Sequence, residues 1–353
     1  MKRVPFSTDE FQVIGEYASS WAGRPGSPKY NTPVTPRENY IAMMKGEKPL
    51  WIPMSADVVT ILPKALPDNI ARSPVEDPAT HDPRDMFGVE WIFVDVAGGA
   101  TVKPGNPMLL DANDWPEVIK FPDVDSWDWE KCAADNKDIL DGGRVRCASI
   151  VSGLFERLIS WMDFEGAASA LIDEDQKDAV HALLSRLCQT WEEIIDKYEE
   201  YFRIDLLEFH DDWGAQRAPF FSLDTVMEML VPYLKRVVSY AHSKGIFVNM
   251  HSCGKNEMLV PAMIEAGVDT WNGQVMNDKE MLYEQYGDKI TLGVSPEIPP
   301  MDASDEEVYA AAKAFVDKYA PAFPEKRVIA GFFMAPPKMR DYIYQLSREA
   351  LDK

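Results

Sequence analysis

The chain is short of cysteine, of long apolar runs and of basic residues, and each shortage removes a class of function. Its 353 residues hold four cysteines, Cys132, Cys147, Cys188 and Cys253, with no framework spacing. A reducing compartment is therefore expected. No apolar run approaches the roughly 20 residues that span a bilayer. The opening segment, MKRVPFSTDEFQVIGEY, places no apolar core behind its basic residues, as a secretory leader would. The expectation is a cytoplasmic protein with no membrane partner. Lysine and arginine number 36 against 58 acidic residues, giving a formal charge of −22. Phosphate binding needs clustered cations, so no nucleic-acid partner is expected. The plain reading of the charge is solubility.

What is present is a core-forming composition and a repeating order of elements. The hydrophobic fraction is 46% and the charged fraction 27%, ordinary for a globular chain. Residues 1–34 read as an N-terminal extension, with a short helical stretch and a loop from Gly23 to Pro33. Thr35-Pro36-Arg37-Glu38 opens a helix: Thr35 caps, Pro36 suits the first turn and Glu38 completes a capping box. Trp51-Ile52-Pro53-Met54 reads as a first strand. Residues 60–140, rich in Pro, Asp and Trp, read as long loops with short elements, either binding loops or plain packing. From residue 144 the pattern becomes regular. Strands are predicted at Val145–Val151, Ile204–Phe209, Ile246–Met250, Val268–Trp271, Ile290–Val294 and Arg327–Met334. Helices are predicted from about Asp175 to Phe202, after Ser222, at Met258–Ala266, after Ser304 and at the C-terminus.

Strands alternating with helices imply a parallel sheet. No glycine-rich nucleotide loop follows any predicted strand. Chemically able residues instead follow several different strands, the arrangement of a barrel whose site gathers at the C-terminal strand ends. The expected fold is α/β, a distorted (β/α)8 TIM barrel forming a single domain over residues 35–353, with an N-terminal extension and long loops.

His251 and Cys253 carry the sharpest chemistry. Residues two apart on a strand face the same way, and Gly254 lets the chain turn straight afterwards. Imidazole and thiolate together suit zinc. The bland alternative is a packed histidine and a buried free cysteine. Asp211 and Asp212 follow an apolar strand and are candidates for ligation or for acid–base work. The alternative for them is turn formation. Trp213, Gln216, Phe221 and Gln274 are candidate substrate contacts, and Glu297 a candidate third metal ligand.

Several of these segments, in this order, resemble the uroporphyrinogen decarboxylase superfamily. They are Thr35-Pro36-Arg37-Glu38, Asp211-Asp212-Trp213-Gly214 with Phe221-Ser222, Pro232-Tyr233-Leu234-Lys235, His242-Ser243-Lys244-Gly245, His251-Ser252-Cys253-Gly254 and Glu265-Ala266-Gly267-Val268-Asp269. The resemblance implies a distorted (β/α)8 barrel. Decarboxylases of that superfamily carry an arginine-bearing loop after the first strand. Here the stretch is Met54-Ser55-Ala56-Asp57-Val58-Val59, so the resemblance points to the cobalamin-dependent methyltransferase branch. That branch uses His-x-Cys as zinc ligands, matched by His251 and Cys253. Its thiol-methylating members add a cysteine after the last strand, which is absent here. Within that branch the chain resembles the methyltransferase components of anaerobic O-demethylase systems. It implies zinc, a corrinoid carried by a partner protein, and a methoxylated, often aromatic, small molecule. Transfer to a thiol and decarboxylation of a small acid are the alternatives. A homodimer is left open.

Overall fold

The structure is a computed structural model and describes residues 3–19, 26–75, 81–96, 98–140, 142–332 and 334–352. The start of the expected Gly23–Pro33 loop, and Phe333 in the expected last strand, lie outside them. The fold is α/β, around a seven-stranded sheet. Its strands are β1 Val58–Ile61, β2 Val145–Ile150, β3 Leu206–His210, β4 Phe247–His251, β5 Thr270–Trp271, β6 Thr291–Val294 and β7 Val328–Ala330. By chain contacts the molecule divides into two compact units. One comprises residues 1–60, 136–147 and 269–353, the other residues 61–135 and 148–268.

In the first unit β6 pairs in parallel with β5 on one side and β7 on the other, Leu292 standing opposite Trp271 and Val328. The expected strand Trp51–Met54 is reduced to a single parallel bridge from Met54 to Ala330. Pro53 is the reason: it accepts from the Ala330 N–H at 2.8 Å but has no N–H to return. The N-terminal extension forms a one-turn helix, Thr8–Phe11, and an antiparallel hairpin of Val13–Tyr17 with Ser27–Tyr30. Buried Arg348, on the terminal helix Lys338–Leu351, fastens it by gripping both oxygens of Glu10 at 2.7 and 2.9 Å. The capping box at Thr35 forms as expected and opens the helix Pro36–Met44.

In the second unit β3 and β4 pair in parallel, with Glu208 opposite Asn249 and His210 opposite His251. Leu207, Phe209, Val248 and Met250 are buried on one face of the pair. Glu208, His210, Asn249 and His251 lie half-buried on the other, as the two-residue period of a strand requires. Residues 60–140 contain more than loops. Beyond the end of β1 they hold a short helix Pro67–Ala71, a hairpin of Trp91–Val94 with Gly99–Val102, and a helix Trp129–Leu140. A helix at Phe155–Ala170, not expected from the pattern, follows β2. Among the described residues no helix is long and apolar enough to cross a membrane.

Candidate metal centre

The parallel register of β3 and β4 puts two histidines side by side at their C-terminal ends. The His210 and His251 rings stack with centroids 4.1 Å apart and planes 11° from parallel. Two residues past His210 the chain carries Asp212, and two past His251 it carries Cys253. One ligand atom from each of His210, Asp212 and His251 lies within 4.8 Å of the others. The Cys253 sulfur is 3.3 Å from His251 Nε2. Its backbone N–H donates to Asp212 Oδ1 at 2.6 Å. The carboxylate in the cluster is thus Asp212. Glu297 is an exposed loop residue of the first unit.

Two loops interlock to hold these groups. Gly254 has φ +96°, open to glycine, and a Cβ there would meet Gly214 O at 2.3 Å. The segments Asp212–Gly214 and Ser252–Gly254 therefore press backbone to backbone. Trp213 N–H donates to Ser252 Oγ at 3.0 Å, and Lys255 N–H to Ala215 O at 2.8 Å. Asn256 donates to Ser252 Oγ and to Cys253 O. Both motifs singled out in the sequence are halves of one clasp.

Asp211 and Trp213 are construction elements of that clasp. Asp211 is fully buried and accepts from the N–H groups of Phe155 (3.2 Å) and Glu156 (2.9 Å), capping the helix that starts there. It also accepts from Trp213 Nε1 at 2.7 Å. Burial, then the nearby Glu156 charge, raises its pKa to about 7. Trp213 is wholly enclosed, a core side chain rather than a pocket wall. Phe221 is half-buried and meets Phe155 edge to face at 4.7 Å. Phe220 and Phe164 extend the same aromatic patch. Gln216 is exposed on the loop beyond Gly214, and Gln274 is exposed in the first unit.

Two residues behind the histidines, Glu156 and Arg72, carry no expectation from sequence. Glu156 Oε2 lies 2.6 Å from His210 Nδ1, while Arg72 donates to Glu156 Oε1 at 3.1 Å. Arg72 also donates to Ser152 Oγ at 2.7 Å and stacks over the Trp91 ring. Burial opposes ionisation of Glu156, but Arg72 and His210 outweigh it and bring its pKa down to about 2. Burial likewise opposes the charged form of His210, and Glu156 overcomes it, so its pKa is raised. His251 goes the other way, lowered by burial and by the neighbouring His210 charge. Glu208, one step down the same face, accepts from Ser149 Oγ at 3.3 Å. Gly153 lets this layer close up: its N–H donates to His210 O at 2.6 Å, and a Cβ would strike the Phe209 ring and Asp211.

The donor set fits zinc. Two imidazoles, a carboxylate and an adjacent thiol are the ligands zinc accepts at about 2.0–2.3 Å. A carboxylate on the far nitrogen of a ligating histidine is the usual second support, leaving Nε2 of His210 for the metal. Cys253 is pushed up to about 12 by burial and by Asp212, so its thiol is protonated without a cation beside it. Glu156 and Arg72 were hard to find because the first lies on an unassigned helix and the second in the irregular region. His210 did carry a signal: it precedes Asp212 by the same two residues that separate His251 from Cys253.

No protein-family model matches the chain, and no curated protein sequence does. Solved structures do match. A methyltransferase from Methanosarcina mazei aligns over 90% of this chain and 98% of its own, with TM-score 0.55 at 14% identity. A glycosylated endo-β-1,4-xylanase from Gloeophyllum trabeum aligns over 65% and 81%, at TM-score 0.38 and 10% identity. A sugar phosphate isomerase/epimerase from Parabacteroides distasonis aligns over 66% and 78%, at TM-score 0.35 and 12% identity. The chain therefore shares the fold of the Methanosarcina mazei methyltransferase.

Proposed function

We propose that the protein is a zinc-assisted, corrinoid-dependent methyltransferase that takes a methyl group from a methoxylated, aromatic small molecule to the cobalt of a corrinoid protein. The observation that carries this is the gathering of His210, Asp212, His251 and Cys253 on adjacent strand ends. The fold likeness to a methyltransferase and the superfamily-like motifs, which build that clasp, support it. In the same reading the sheet is the core of a (β/α)8 barrel, with Trp51–Met54 in the place of its remaining strand.

In the reaction the O–CH3 bond breaks and its electron pair stays on oxygen. A corrinoid partner, as methyl acceptor, would supply the electron pair of the new bond, and the departing oxygen would take a proton from water. Bound zinc supplies a Lewis acid for that oxygen. The chain's own residues prepare the place. Glu156, held ionised by Arg72, keeps the proton of His210 on Nδ1 and fixes the ring. Asp212, from the loop after β3, and His251, from the end of β4, converge beside it. The patch of Phe155, Phe164, Phe220 and Phe221 stands at the helix start that bears Glu156 and offers an apolar face to an aromatic ring.

The test joins metal content to turnover. The protein as isolated is expected to carry zinc, and His210→Ala, Asp212→Ala and His251→Ala to lose it. With a Co(I) corrinoid protein and a panel of aryl methyl ethers, the wild type is expected to give the methylcorrinoid absorption spectrum and the three variants none. Wild type without zinc, or zinc-loaded protein that yields no methylcorrinoid with any ether, overturns the reading.

A further inference from the structure

The first unit holds a cavity of its own, between the N-terminal extension, the segment Trp51–Asp57 and the terminal helix. About 430 Å³ lies between its walls, counted out to the mouth. Phe11, Tyr17, Tyr30, Trp51 and Tyr344 supply much of the lining, which makes the space a slot with aromatic sides. One wall is a run of aromatic rings meeting mostly edge to face. Trp51 meets Tyr344 at 5.2 Å, Tyr344 meets Phe11 at 5.8 Å, and Phe11 meets Tyr30 at 6.2 Å.

Two charged groups line the slot with bonding capacity to spare. Asp57 is 3% exposed, and both of its donors, Trp51 Nε1 at 3.2 Å and Met54 N–H at 3.0 Å, use the same oxygen, Oδ2. Its Oδ1 has no donor among the described residues, and because Asp57 lines the cavity that oxygen can accept from a ligand. The Arg340 guanidinium stands 5.7 Å from the Tyr30 ring and forms no hydrogen bond or ion pair among the described residues. Arginine's fork of donors matches a carboxylate in two places at once.

The geometry points to a binding site for a single-ring aromatic carboxylate that bears a hydroxyl. The ring lies flat in the slot against the aromatic wall, the carboxylate meets Arg340, and the hydroxyl donates to Asp57. This site stands on the first unit alone and does not depend on the metal centre or on methyl transfer.

Calorimetric titration of the full chain tests it, with 4-hydroxybenzoate, benzoate, cyclohexanecarboxylate, phenol and phenyltrimethylammonium as probes. The expected order is 4-hydroxybenzoate tightest, benzoate next and cyclohexanecarboxylate weaker than both. Arg340→Gln is expected to weaken 4-hydroxybenzoate by about 10- to 100-fold, the range for a charge-assisted bond, and to leave phenol unchanged. Arg340→Lys recovers part of the loss. His251→Ala binds as the wild type does, which separates this site from the metal centre. The inference is overturned if neither aromatic acid binds saturably, if cyclohexanecarboxylate binds as well as benzoate, if phenyltrimethylammonium binds best, or if Arg340→Gln changes nothing.

Discussion

The strand-end cluster of the second unit and the aromatic slot of the first hold polar groups in opposite ways. In the cluster each carboxylate is tied to its neighbours. Glu156 is gripped by Arg72 and His210, Asp211 by two backbone N–H groups and an indole, Asp212 by the Cys253 backbone. In the slot rings make the wall, while Asp57 Oδ1 and the Arg340 guanidinium have no bonding partner among the described residues. A side chain tied within the protein by one atom is fixed in place while its other donor atom stays available, which metal ligands need. A group with bonds unmade is offered to a ligand.

The comparison breaks first if the slot does not depend on its anchor. Arg348 is fully buried, grips Glu10 through two nitrogens, and donates to Val4 O at 2.8 Å. Arg348→Met leaves the Glu10 carboxylate buried without its counter-charge, which costs about 3–5 kcal/mol. Glu10 and Phe11 line the slot, so binding of 4-hydroxybenzoate should fall with stability. Zinc stoichiometry at the other cluster should hold at temperatures where the chain stays folded. Urea unfolding with metal analysis on the same sample checks both. A variant of unchanged stability would show that the N-terminal extension is not fastened by this pair.

A smaller effect belongs to the cluster. Glu156→Gln keeps the shape of the side chain but removes the charge that holds His210 by Nδ1. Zinc affinity is expected to fall by about 10- to 100-fold, the usual range for an outer-shell partner. Chelator competition measures it. The slot ligand should bind this variant as it binds the wild type. An unchanged zinc affinity would mean that Glu156 is there only for Arg72 and the packing around it.

The same contrast explains what was legible in the sequence. The alternation at 206–212 and 247–253 names strand, face and ligand positions together, because a two-residue period survives in one dimension. The slot left no such trace: Tyr30, Trp51 with Asp57, and Arg340 come from three separate segments, and only packing brings them together. The helix Phe155–Ala170 escaped for a local reason. Its first two turns are almost wholly buried, so they show no amphipathic stripe, and Asp163 at φ 59° breaks its run. The apolar run Trp51–Met54 suggests a strand, but Pro53 lacks the N–H that a ladder needs. Asp211 and Trp213 looked like site residues because of their position, but position at a strand end does not distinguish a side chain facing the ligand from one that ties the loop.

The smallest expected effect concerns the capping box at the start of the helix Pro36–Met44, whose first residue lines the slot. Glu38 Oε2 accepts from the Thr35 N–H and hydroxyl, both at 2.8 Å, and these bonds lower its pKa from the ordinary 4.5. A carboxyl whose pKa is lower folded than unfolded adds stability above the unfolded value. It loses that stability as the pH falls through the folded value. The group is largely exposed, so the contribution is about 0.5 kcal/mol, discounted for solvent screening. Glu38→Ala should therefore lower the urea midpoint slightly at about pH 7, and the difference should shrink as the pH falls below the ordinary carboxyl value. Glu38→Gln can still accept from Thr35, so it should keep most of the cap and lose only the pH dependence. Because the box sits in the first unit, zinc binding at His210, Asp212 and His251 should not respond to either change. A shift in zinc affinity with Glu38→Ala would mean that the two regions are energetically one.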